Sequence, residues 1–357
     1  MREVAPRRVM IVEGNPDGHR LYYVSLLIRG AEESGCRVTV ATTELALSSP
    51  EWSAHVGAGG DGATVTILND YRLEAVRRRA DELQVDHVIV PDGDSFVYEL
   101  SRWKRWTGSS TVTAIAMREK GQPSAVPGLR FLMTLAKHTT FLLANIRPRV
   151  EVRILKSGPW RGFSMVPVVR DPVVLTHQGS ESIQLPGGDR FWFGIVGSVG
   201  HRKNLPLVAA ALASLNRADI GLIVAGQIDA GVLDLAEPHL SRIRDNGGQV
   251  EIIDRLLSDS EMDQLIVDLD CVVLAHSNDG PSGILGKAAA AGTRIVAAGA
   301  PTLRSDCRNI GDGAEWAQLR QHELSKALER AAHKPRPRPT SLASPADFAS
   351  DLLGLRA

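Results

Sequence analysis

Short, unbroken apolar runs that close on glycine or a small polar turn recur along this chain, each followed by a helical stretch. "RRVMIVEG" (7–14) is the first, followed by "RVTVATT" (37–43), "ATVTILN" (63–69), "DHVIVPDGD" (86–94), "STVTAIAMR" (110–118) and "RVEVRIL" (149–155). A strand covered on both faces has no polar face to display, so it reads as a continuous apolar run. Residues 21–34, 73–83 and 129–146 carry apolar positions at three-to-four spacing and read as helices. The second half repeats the rhythm with "FWFGIVGS" (191–198), "IGLIVAG" (220–226), "QVEIID" (249–254), "LDCVVLAH" (269–276) and "TRIVAAG" (293–299). Its helices fall near 205–215, 231–244, 260–267 and 283–291. Strands alternating with helices predict parallel sheets wound on both faces.

The fold class expected is therefore α/β, as two doubly wound Rossmann-like domains facing a central cleft at the carboxyl ends of their strands. Domain 1 is expected to span 1–170 and domain 2 to span 171–333, with "VPVVRDP" (166–172) as the crossing. A proline-rich linker, 334–345, follows, and a short last helix within 345–357 packs back on the first domain. A chain of 357 residues is long enough for two cores. With 41 basic and 41 acidic residues, no global attraction to a polyanion follows. Cys36, Cys271 and Cys307 stand in no metal-ligand or redox spacing, which points to a reducing compartment, a cytoplasmic setting, and buried thiols. The apolar run near the start is too short for a signal peptide. No run reaches the roughly 18 apolar residues that a membrane span needs.

Two turns carry the chemistry. In "GIVGSVGHRKNLPLVAAAL" (194–212) a strand ends at Gly197, and Ser198, His201, Arg202, Lys203 and Asn204 lead into a helix. Free backbone N–H groups and the dipole at a helix start favour an anion, and lysine adds a full charge. A dinucleotide-binding turn is the alternative, since Asp219 lies about 20 residues on, as a ribose-binding acid would. The glycines, however, run G-x-x-G-x-x-G, and a basic cluster stands where small residues should open the helix. In "HSNDGPSGILGKAAAAGTRIVAAG" (276–299), Gly280, Ser282, Gly283 and Ile284 open an alanine-rich helix that Gly292 ends. Backbone N–H groups and the Ser282 hydroxyl there suit a diphosphate.

Four stretches in order, "GSVGHRKNLPLVAAAL", "LIVAGQ", "IIDRLLSDSEMDQLIVDLDCVVLAHS" and "NDGPSGILGKAAAAGTRIVAAG", resemble the donor-binding domain of GT-B glycosyltransferases, nearest to glycosyltransferase family 4. The first half resembles that family in layout only, with "GNPDGHRLYYVSLL" at its glycine turn. The resemblance implies transfer of a sugar from a nucleotide diphosphate with retention of configuration, no metal and no other cofactor. It implies donor contacts from Gly197, Ser198, His201, Arg202, Lys203, Asn204, Gly226, Asp254, Arg255, Leu256, Gly280, Ser282, Gly283, Ile284 and Lys287. The family's arginine in the first turn is Ser198 here, for which His201 or Arg202 could substitute. Its two glutamates eight apart are Asp279, kept as a carboxylate beside the sugar, and Lys287, a charge reversal. Lys287 then points into the site toward a phosphate or a carboxylated sugar, or points away, or marks a chain that has kept binding and lost catalysis.

On the acceptor side, Gly18, His19, Arg20, Asp92, Asp94 and Arg118 stand at the carboxyl ends of expected strands. Asp92, Asp94 and His19 could bind sugar hydroxyls or take the acceptor's proton; capping is the alternative role for each. From Leu100 to Arg170 there are thirteen Lys or Arg against two acids, Glu119 and Glu151. "SRWKRW" (101–106) interleaves tryptophan with cations, and the apolar helix 128–146 has no acid. Such a surface suits an anionic membrane face and a lipid-linked or anionic acceptor, whereas no nucleic-acid module is visible. The alternative is a helix packed on the sheet with solvated cations.

Overall fold

The computed structural model describes residues 5–16, 20–57, 62–101, 105–117, 119, 128–175, 183–280 and 282–355. It divides the chain into two compact units, the first of residues 1–156, 162–172 and 344–357, the second of 157–161 and 173–343.

The first unit holds a seven-stranded, all-parallel sheet. Its strands are β1 (Arg8–Val12), β2 (Arg37–Thr42), β3 (Thr64–Ile67), β4 (His87–Val90), β5 (Thr111–Ala116), β6 (Val150–Lys156) and β7 (Val168–Arg170), in the order β3-β2-β1-β4-β5-β6-β7. The second holds six parallel strands: β8 (Phe191–Val196), β9 (Ile220–Ala225), β10 (Gln249–Ile253), β11 (Cys271–His276), β12 (Arg294–Gly299) and β13 (Ala314–Ala317), in the order β10-β9-β8-β11-β12-β13.

Alternate residues of one strand feed opposite faces. Met10 and Val12 enter one core of the first unit, Val9 and Ile11 the other. Phe193 and Ile195 divide from Trp192 and Val196 in the same way in the second unit. Both sheets are thus covered twice, which is why their central strands lack a polar face. The edge strands β3 and β10 are only partly covered.

Two strands fall outside the sequence-based expectation. Residues 166–172, expected to be only a crossing, contain β7, which pairs parallel to β6; β13 lies in "AEWA", too short for a periodicity to show. Residues 334–343 run without regular structure along the second unit, where Thr340 N donates to Ala289 O (2.9 Å) and Arg336 Nε to Gly292 O (3.1 Å). The last helix, Pro345–Leu353, begins with a capping box in which Ser344 Oγ accepts from Asp347 N. It buries Phe348, Ala349, Leu352 and Leu353 in the first unit. Gly30, on the helix Arg20–Glu33, permits the approach, because a Cβ there would lie 2.4 Å from Ala349 Cβ.

Candidate functional site

In the second unit the strand order reverses between β8 and β11. Chains leaving adjacent strands at such a point diverge and leave a crevice at their carboxyl ends. Both turns singled out from the sequence leave there.

The first turn departs from β8. Gly197 has φ +85° and Gly226, after β9, φ +135°; a Cβ on Gly226 would lie 2.3 Å from Gly197 O, so the two exits pass backbone on backbone. A single 3-10 turn, His201–Lys203, follows, and Asn204 in the left-handed region (φ +51°) turns the chain into the helix Leu205–Ala213. Asn204 supports that conformation through its side chain, Nδ2 donating to Arg202 O (3.0 Å) and Ala275 O (2.8 Å). Lys203 is buried, 6% exposed, with Nζ donating to Val196 O at 2.5 Å. Burial, and then the neighbouring Arg202, pull its pKa down to about 8. Ser198, His201 and Arg202 are exposed around it.

The second turn departs from β11. Ser277 N donates to Arg202 O (3.0 Å), and its Oγ reaches the same carbonyl at 3.3 Å. With Asn204 on Ala275, this fastens the two turns to each other. Gly280 has φ +159°, and Ser282 caps the helix Gly283–Ala291, its Oγ accepting from Leu285 N at 3.4 Å. Among the described residues, a Cβ on Gly280 or Gly283 would meet nothing within 4 Å, which leaves this helix start open. Ile284 Cδ1 lies 3.9 Å, and Lys203 Nζ 3.5 Å, from where a Gly197 Cβ would stand, which brings both turns to one spot.

Other residues named from the sequence have structural partners. Asp279 Oδ1 accepts from Thr302 N (2.9 Å) and from the Thr302 hydroxyl, at the start of the helix Pro301–Ile310. Lys287 Nζ pairs at 2.5 Å with Asp263, 1% exposed, on the helix Asp259–Asp268. Its ammonium is thus directed at the neighbouring helix, the second of the orientations left open above. Asp254 Oδ1 accepts from Ile228 N (2.9 Å), tying the exits of β10 and β9. Arg255 forms a two-pronged pair with Glu261 (2.5 and 3.1 Å), which holds that carboxyl down at about 2. Leu256 is 80% exposed.

Sequence reasoning did not single out His276. The last residue of β11, it is 8% exposed, and its Nε2 has no hydrogen-bond partner among the described residues. Burial first, then Lys203 and Arg202, lower its pKa to about 4, so the ring is neutral beside two cations. Its place at the end of an apolar run is the only signal the sequence offers.

In the first unit the order reverses between β1 and β4. Arg20 Nε pairs with Asp92 Oδ2 at 2.6 Å, so these two come together. Asp94 Oδ1 accepts from Met117 N (2.9 Å), tying the helix Asp94–Ser101 to the end of β5. Gly18, His19 and Arg118 lie outside the described residues. Glu13, overlooked in the sequence, directly follows β1 and is 5% exposed. Its Oε1 accepts from Asn15 N (2.9 Å), and Oε2 has no partner among the described residues. Burial raises its pKa to about 7.

A parallel-sheet unit with two helix-opening turns fastened at its switch point, and a buried lysine between them, presents backbone N–H groups and a cation at one place, an arrangement whose chemistry suits an anionic ligand. No protein-family model and no curated protein matches the chain. Solved structures do. A glycosyltransferase from Rickettsia africae aligns at TM-score 0.63 and 8% identity, over 92% of this chain and 89% of its own. HepE from Anabaena, in complex with UDP, aligns at TM-score 0.61 and 13% identity, over 98% and 94%. Sucrose-phosphate synthase from Thermosynechococcus elongatus aligns at 0.60 and 13%, over 98% and 94%. At these identities the likeness establishes the fold alone, two parallel-sheet α/β units of the GT-B class.

Proposed function

We propose that this protein transfers a sugar from a nucleotide diphosphate to a hydroxyl of a lipid-linked or otherwise anionic acceptor, with retention of configuration and without a metal. One observation carries the reading: the turns after β8 and β11 are fastened together, with buried Lys203 between them and an open helix start at Gly283. Similarity in fold to a glycosyltransferase, and to HepE solved in complex with UDP, supports it.

In this reading the diphosphate lies against the backbone N–H groups of Ser282 to Ile284 and the turn Gly197 to Asn204, with Lys203 reaching an oxygen. Ser198 takes the place of the family's arginine, and His201 or Arg202 supplies the cation in its stead. Gly226 and residues 254–256 line the nucleotide side, and Asp279 the sugar side. The acceptor oxygen bonds to the anomeric carbon on the face from which the diphosphate departs, as the bond from that carbon to the diphosphate oxygen breaks. The electron pair leaves on the diphosphate, and the departing oxygen takes up the proton of the acceptor hydroxyl. Fixed N–H dipoles and Lys203 stabilise that charge as it grows. The first unit supplies acceptor contacts, for which Gly18, His19, Arg20, Asp92, Asp94 and Arg118 are the candidates. Lys287, engaged with Asp263, supports the neighbouring helix in place of the family's ribose-binding carboxylate.

A melting-temperature screen of nucleotide-diphosphate sugars tests this, because a ligand that binds only the native state raises Tm. The expected result is a rise with one nucleotide series, and release of free nucleotide on adding acceptor lipids or oligosaccharides. Absence of any shift overturns the proposal. Tight binding with no turnover across donors and acceptors replaces the enzyme by a nucleotide-sugar-binding scaffold.

A further inference from the structure

The ring of His276 stands where the two turns of the second unit meet, and its Nε2 bonds to neither. Side chains of β11 alternate between two cores: Cys271, Val273 and Ala275 enter one, Val272 and Leu274 the other. That second core also receives Leu285, Ala288 and Ala289 from the helix Gly283–Ala291, with Ile284 packed against it. By the same alternation His276, at the carboxyl end of the strand, falls on the side this helix covers. It is 8% exposed, and Nε2 has no hydrogen-bond partner among the described residues. Buried polar atoms are nearly always bonded, so an unpartnered ring nitrogen beside an open helix start marks a place held for a ligand.

The charges around the ring are positive. Lys203 and Arg202, on the turn after β8, act on it, and among the described residues no carboxylate does. His201, exposed, opens that same turn. Lys287, the only ionisable residue of the covering helix, is engaged with Asp263, and Asp279 with Thr302. On the helix Pro301–Ile310, which packs on the same core, Arg304 lies over the Trp316 ring and Asp306 accepts from Ser157 Oγ. Burial, and then the two cations, therefore keep the His276 ring neutral, with a pKa of about 4. A diphosphate resting on both helix starts brings two negative charges to that place, and the field that opposed a proton then favours one. Once the ring is protonated both its nitrogens donate, so Nε2 can bond to a phosphate oxygen whichever tautomer the neutral ring had.

On the strength of the donor site proposed above, we infer that His276 takes up a proton from solvent as the diphosphate of a nucleotide sugar binds, and that the resulting imidazolium joins Lys203 in holding it. Donor binding is then linked to pH through a side chain that carries no charge in the free protein.

Calorimetry at pH 6 in two buffers of different ionisation enthalpy, MES and bis-Tris, tests it, with UDP-glucose, ADP-glucose and GDP-mannose as probes. Their diphosphates have no proton to exchange near neutrality, and Lys203, with a pKa of about 8, is already charged at pH 6. The wild type is expected to take up close to one proton per bound ligand. His276→Gln keeps a donor near the place of Nε2 but cannot accept the proton, so it should abolish the uptake and weaken binding about tenfold. Long-range 1H–15N spectra of the wild type give the same answer without a substitution, since the His276 ring should pass from neutral to charged on saturation with ligand. Binding without proton uptake, or with the same uptake in His276→Gln, overturns this inference and leaves the donor site standing. Uptake that vanishes in His201→Gln but survives in His276→Gln overturns it too, and assigns the proton to the exposed turn. No binding of any probe by the wild type overturns the donor site itself, and this inference with it.

Discussion

Replacing Lys203 by methionine keeps the length and bulk of the side chain and removes its charge. In the wild type the ammonium is buried beside Arg202, and its pKa falls from 10.5 to about 8. That difference means the native state holds the charged form at a cost of about 3 kcal/mol at neutral pH. Methionine forfeits the hydrogen bond to Val196 O, worth about 1 kcal/mol. The variant should therefore be more stable by about 2 kcal/mol, which for a unit of this size raises Tm by about 4–8 °C. The pH dependence follows with a definite sign. Between pH 8 and 10.5 the unfolded wild type keeps a proton that the native lysine has released, so wild-type stability rises with pH across that window. The gap between variant and wild type should be full below pH 8 and close toward 10.5. Donor affinity should move the other way, falling by about 1.5–3 kcal/mol with the loss of a charged hydrogen bond to phosphate. Denaturant titrations from pH 7 to 10.5 and calorimetry with the nucleotide sugar that answers the screen measure both effects. A variant that is less stable than wild type at pH 7 and binds the donor unchanged would falsify the reasoning.

Two further substitutions probe neighbouring features. Lys287→Met leaves Asp263 buried without its cation and should destabilise by about 3–5 kcal/mol in chemical denaturation, and Lys287→Met with Asp263→Leu should recover most of the loss; a single variant as stable as wild type would show that the pair does not hold these helices. Glu13→Gln should stabilise at pH 8, where the native carboxyl must ionise in a buried place, and make little difference at pH 4, because a pKa raised from 4.5 to about 7 contributes stability below 4.5 that is lost as pH rises through 7. A stability difference that does not change between pH 4 and 8 would place Glu13 in water instead.

The central strands were legible because double burial leaves a chemical trace in the sequence, and the helix starts were legible because their turns use glycine, serine and asparagine. The short edge strands β7 and β13 leave too few residues to show a period. Side-chain roles fared differently for a physical reason. Asp279 could be read as a sugar-side carboxylate, yet its neighbour Thr302 stands 23 residues later, at a helix start whose direction depends on the fold. Asp263 likewise precedes Lys287 by 24 residues. Glu13 and His276 each end an apolar run, and their altered acidities come from burial, which only the assembled sheets create.

The first unit takes residues from both ends of the polypeptide, with the whole second unit intervening. The His87 ring at the start of β4 donates from Nε2 to Leu352 O (3.0 Å), and Arg7 Nη1 donates to Leu353 O (2.6 Å). A ribosome delivering this chain thus releases the amino-terminal sheet early, yet withholds its closing helix until residues 173–343 have emerged. The portion synthesised first matures last, and meanwhile Tyr23 and Gly30 wait without Phe348 and Ala349, which pack on them in the finished unit. Ending translation at residue 344 would injure the lobe built mainly from residues 1–156.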